Sequence, residues 1–181
     1  MVLIKYIIGI GLAAMTLFSC SNEKSLQRYL VDKQDDDSFL KVDIAASLLQ
    51  TDSNNFSQEE KEILATVKKI NVVAFPLKGE NTVAQYKVKK QEVKDIINQK
   101  KYKTLMKFGS NKQGAVLKYV GEEESIDEII VFASDDEKGF ALFRLLGDDM
   151  NPAQMIKLMS SIEKGDMDMS QLKTIGNILD M

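Results

Sequence analysis

Apolar positions along this chain follow several different periods. Behind Lys5, Tyr6 to Phe18 form an unbroken apolar run of 13 residues. That is short of the ~20 residues a helix needs to span a bilayer, and it matches the apolar core of a signal peptide. Further on, Leu26, Tyr29 and Leu30 stand at helical spacing before an acidic stop at Asp35–Asp37. Leu40, Val42 and Ile44 alternate in FLKVDI, the period of a strand, and AASLLQ turns helical after it. In SQEEKEILATVKK, Ser57 and Glu60 have capping-box spacing, so that hydroxyl and carboxylate satisfy free backbone N–H groups, and Ile63, Leu64 and Val67 make one apolar face. INVVAFPL reads as a buried strand ended by Pro76. A long helix is expected over Thr82–Lys100, with Val83, Tyr86, Val93, Ile96 and Ile97 facing inward.

The second half has another rhythm. YKTLMKFGSN, GAVLKYVGE, SIDEIIVFAS and KGFALFRLLG follow one another with turn residues between them, the signature of an antiparallel meander. Asn151-Pro152 then opens a helix, proline being pre-shaped for its first position, with Met155, Met159 and Ile162 on one face. A short helix is expected over Ser170–Leu179. The expectation is an α+β fold: an antiparallel sheet with a late four-strand meander and helices packed mainly on one face. No internal repeat is visible.

The N-terminal run ends in Leu17-Phe18-Ser19-Cys20 and holds the single cysteine. Leu17, Ser19 and Cys20 match a bacterial lipobox; Phe18 departs from it, since a smaller residue is usual there. By that resemblance the Cys20 thiol takes up a diacylglycerol and the peptide is cut before it. The other reading is a buried cysteine in an N-terminal helix. The expected organisation is a lipoprotein signal peptide over 1–19, a lipidated cysteine and tether over 20–25, and one α+β domain over 26–181. Two or more acyl chains hold a protein stably, so Cys20 is the expected membrane contact. After it only Glu23 is acidic and Lys24 follows. An acidic surface-export cluster is therefore missing, and the expected location is the outer membrane facing the periplasm.

Removing 1–19 leaves 162 residues and moves the net charge from −3 to −4. That is enough chain for one core and the wrong balance for nucleic acid. With Cys20 lipidated, no free cysteine remains for a disulfide.

The lipoprotein signal, FLKVDIAASLL, INVVAFPL before a lysine-rich helix, and the closing meander with DEIIVFAS together resemble one uncharacterised family. Its members are small secreted or lipid-anchored proteins of Bacteroidetes-type bacteria carrying a domain of unknown function. The resemblance covers nearly the whole mature chain and implies no catalytic residue, cofactor or ligand.

The chain has no histidine. This removes Ser-His and Cys-His catalysis and His-ligated zinc. Several local patterns imitate sites. Ser161 and Lys164 have S-x-x-K spacing, but the S-x-N of Ser53–Asn55 precedes them and Lys173 begins KTI instead of K-T-G. GSNKQGAV imitates a phosphate loop, yet Ala115 and Val116 replace Lys and Ser/Thr, and a strand follows where a helix is required. From Asp166, acids and Ser170 occupy the first calcium-loop positions, but Gln171 and Asn177 replace the required Gly and Glu. Asp135 and Asp136 could serve hydrolysis and equally could be ordinary turn acids. Met155/Met159 and Met167/Met169 could bind Cu(I) through thioethers or simply fill gaps in packing. No catalytic residue and no metal site is assigned.

Arg144 lies in an otherwise apolar strand. If the strand is central, its guanidinium needs a carboxylate, and Glu128 on the preceding strand is the candidate for a structural ion pair. If the strand is an edge, Arg144 is a surface residue. Charge is also unevenly placed. Lys87–Lys107 holds eight lysines against Glu92 and Asp95, and Glu122–Asp149 holds ten acids against Lys138 and Arg144. These runs read either as two solvated faces or as poles that orient the domain over anionic headgroups. The expected function is a non-enzymatic, lipid-anchored envelope protein that binds a partner protein or contributes to envelope regulation. The alternatives are a small-ligand or copper-binding lipoprotein and, behind it, a carboxylate-dependent hydrolase.

Overall fold

The computed structural model describes residues 24–45, 47, 57–110 and 112–163. Among the described residues, four helices and six strands follow in this order: α1 Leu26–Asp32, β1 Leu40–Ala45, α2 Gln58–Thr66, β2 Val67–Pro76, α3 Val83–Ile97, β3 Lys103–Gly109, β4 Gln113–Gly121, β5 Ile126–Asp135, β6 Gly139–Met150 and α4 Pro152–Glu163. All strands join one antiparallel sheet in the order β1-β2-β6-β5-β4-β3. β3 to β6 are the expected meander. β6, the last of the described strands, then lies against β2, so β6 is central and β1 and β3 are the edges.

Local chemistry sets the helix starts. Ser25 caps α1 by accepting from the Arg28 N–H. Ser57 and Glu60 form the expected capping box on α2. Thr82 and Gln85 form a second box on α3. Because Thr82 is the cap, Val83 occupies the first helical position and is 54% exposed, not inward as the apolar spacing suggested. The α3 helix stops at Ile97, three residues before the expected end, with Asn98 as its C-cap. The α2 helix likewise stops at Thr66 and runs straight into β2. Val67 therefore begins a strand, although its spacing from Ile63 and Leu64 fits a helical face equally well.

Strand alternation gives the sheet two apolar faces. On one, Leu26, Tyr29 and Leu30 of α1 and Tyr86, Val93, Ile96 and Ile97 of α3 pack on Val73, Phe75, Ile130, Phe132, Phe140 and Leu142. On the other, Ile63 and Leu64 of α2 and Met155 of α4 pack with Leu117, Tyr119, Ile126 and Ile129. The helices are thus divided between the faces, and the expectation that they lie mainly on one is corrected. Helical periodicity reports which stripe of a helix is apolar, not which side of a sheet receives it.

Candidate functional site

One row of the second face is made of small residues. Ala74 pairs with Ala141, Ala141 with Ala133, and Ala133 with Ala115. Leu40 of β1 and Phe108 of β3 complete the row at the two edges. The α2 and α4 side chains pack over the opposite end of this face, beside Ile126 and Ile129. Methyl groups alone project from the four central strands in this row. A cleft of about 490 Å³ lies over it, lined by all four alanines, Phe108 and the β5–β6 turn. That volume falls in the range of small-molecule sites, which are mostly apolar.

The β5–β6 turn is held in place from two sides. Lys138 accepts from the Leu77 N–H at 2.8 Å through its carbonyl. Gly139 adopts φ +118° with its α-carbon against β2, and a Cβ there would meet the Phe75 carbonyl oxygen at 2.0 Å. From the helix side, Lys90 Nζ donates to Asp136 Oδ1 and to the Tyr86 hydroxyl, both at 2.8 Å, and Tyr86 donates to Asp136 at 2.9 Å. Hydrogen bonds from Lys90, then Tyr86, hold the Asp136 carboxyl below its usual value. Burial works to lower Lys90, but its bonds to Asp136 and Tyr86 outweigh that and raise it. Burial raises Tyr86.

Asp135 takes a different role. Its Oδ1 accepts from the Glu137 and Lys138 N–H groups at 2.8 and 3.2 Å, closing the turn. The two neighbouring acids therefore serve separate partners. Met150 and Met155 are core residues of the second face. The side chains of Met159, Ser161 and Ile162 lie outside the described residues, as do Cys20, Ser53–Asn55 and everything from Lys164 onward. Among the described residues, no three Cys, Asp or Glu side chains converge as metal ligands, and no helix is long and apolar enough to cross a membrane.

Arg144 and Glu128 are brought together. Arg144 Nε donates to Glu128 Oε1 at 2.7 Å, and Arg144 also donates to Gln27 Oε1 of α1. Beside them, burial and the Glu128 carboxylate push the Tyr102 phenol up to about 12. The lysine-rich stretch is partly neutralised, since Lys89 pairs with Asp36 and Lys90 with Asp136. The alanine row escaped the sequence reading. Each strand offers one alanine at an unremarkable position, and only the strand order aligns them.

The family model described as a domain of unknown function (DUF4252) matches residues 29–158. The chain belongs to this family. The match runs from α1 into α4, so it includes the whole sheet and both walls of the cleft. No curated protein and no solved structure matches the chain.

Proposed function

We propose that this chain is a lipid-anchored, non-enzymatic protein of the bacterial envelope whose DUF4252 domain holds a small apolar ligand. The observation that carries the binding half is the in-register alanine row under a cleft of about 490 Å³. Four neighbouring strands keep one-carbon side chains where valine or isoleucine would bury more area and is favoured in strands. Space has been left above them. The anchoring half rests on Lys5, the apolar run and the Leu17–Cys20 lipobox pattern. A partner protein has an observation of its own: every residue of the β3 edge is exposed, including Leu105, Met106 and Phe108. Such an edge can accept an added strand.

The ligand reading is tested on the chain from Ser21 onward, prepared without lipid, by titration with the neutral fluorophore N-phenyl-1-naphthylamine. Saturable one-to-one binding is expected. Ala115→Leu and Ala133→Leu fill the cleft and should abolish it while leaving the circular dichroism unchanged. Binding that survives both replacements, or none in the parent protein, overturns the reading.

A further inference from the structure

On the other face of the sheet, a second cleft of about 260 Å³ opens between the end of α3 and the β3 edge. Lys94 approaches it from α3, Lys107 from β3 and Lys118 from β4. Lys118 is the unusual member, at 7% exposed. Thr104 lies opposite it on β3 and Ile130 on β5. The nearest acid on the same face by register, Glu128, is already bound to Arg144. Among the described residues no hydrogen bond or ion pair engages the side chain of Lys94, Lys107 or Lys118, whereas Lys33, Lys89 and Lys90 all have acidic partners. The cleft lining contains no Asp or Glu, and adds the neutral polar groups of Asn98, Thr104 and Ser134.

The Lys118 stem is buried and its amine partly so, and a cation drawn from water without a counter-ion is penalised. Burial alone drives the Lys118 amine below its usual value, with no carboxylate offsetting it. A fold that only needed to fill this position would do better with methionine or leucine, since Val116 and Phe132 also line the cleft. Three cations and uncharged donors around one concavity suit a compact anion carrying more than one negative charge, and lysine is an established point-charge partner of phosphate.

We propose that the Lys94–Lys107–Lys118 cleft is a phosphate-binding site. Lys118 supplies the charge at its floor, Lys94 and Lys107 close on the outer oxygens, and Thr104, Asn98 and Ser134 donate to what remains. The phosphate comes either from a soluble ester or from a lipid headgroup. The site's lysines lie on the face of the sheet opposite the alanine row, and the two clefts share Phe108, Gly114, Ala115 and Ser134 at the sheet's β3–β5 end.

The test uses the full chain purified in neutral detergent. Inorganic phosphate and pyrophosphate are titrated calorimetrically at constant ionic strength, with chloride as the control. Saturable binding at least tenfold tighter than chloride is expected, and Lys118→Met should weaken it at least tenfold while the protein stays folded. Lys87→Met, on the exposed side of α3, should leave it unchanged. Phosphate should also protect Lys118 from amine acylation, read by mass spectrometry, which a purely structural lysine would not show. Co-sedimentation with neutral vesicles, with and without phosphatidic acid, then separates the sources. A Lys118-dependent gain with phosphatidic acid assigns a headgroup, and phosphate binding without that gain assigns a soluble ester. Equal affinity for phosphate and chloride, or full binding by Lys118→Met, overturns the proposal and leaves Lys118 as a lysine whose stem packs while its amine reaches water.

Discussion

Arg144 and Glu128 are hydrogen-bonded at 2.7 Å although they are not opposite one another: across from Arg144 on β5 stands Ile130. The contact is diagonal, on one face, next to a register shift between Ile126 and Glu128. Both side chains are nearly buried. Glu128→Gln leaves a buried guanidinium without its counter-charge and should cost about 3 kcal/mol, the low end for breaking a buried pair because an acceptor remains. Replacing both, as Glu128→Leu with Arg144→Met, should recover most of the loss. Urea unfolding of the three variants checks this, and an unchanged midpoint for Glu128→Gln would show that the pair contributes nothing.

Asp36 ties the loop after α1 to α3. Burial works to raise its carboxyl, but bonds from Lys89 and Ser38 prevail and hold it at about 2, against 3.8 for an unperturbed group. A carboxyl lowered on folding contributes stability that is complete above the unfolded value and lost as pH falls through the folded one. The window is therefore about pH 4 down to 2. Asp36→Asn should lower stability by about 1 kcal/mol at pH 7, allowing for solvent screening, and the deficit should vanish near pH 2. Melting curves across that range decide it.

Lys118 should behave in the opposite sense. Its amine is lowered by burial, so the charged form is penalised in the folded state. The penalty is full below the folded value and disappears as pH rises toward the unfolded value of 10.5. Lys118→Met should therefore be more stable than the parent at pH 7 without phosphate, and no more stable near pH 11. A midpoint that falls at pH 7 would mean that the amine has a favourable partner in the fold.

Cys20→Ala should stop uptake of labelled palmitate in a bacterial host and leave the product uncleaved or released from the membrane fraction. Labelling equal to that of the parent would remove the anchor from the proposed function.

The elements were legible where one residue type dictates one geometry. Ser57 with Glu60 marked a helix start, Pro76 a strand end and Asn151-Pro152 another helix start. The sequence misled where two periods coincide, as at Val67, which fits the α2 face by spacing and yet begins β2. Long-range order was the larger gap. Nothing local announces that β6 pairs with β2, so the alanine row could not be seen. A signal for Lys118 was present: Val116 and Val120 flank it on the same face of β4, which makes a lysine between them an interior position.

The pairing of β2 with β6 also fixes an order of events during synthesis. Val72 meets Phe143 only after about 70 further residues have been made, roughly 4–14 s later at about 5–20 residues per second. Until then β2 presents an open apolar edge, and the first half of the domain has no finished sheet to join. The hairpins from β3 to β6 need no earlier residue to close. An unpaired apolar edge of this kind is open to other chains, and that exposure lasts until β6 is available to cover it.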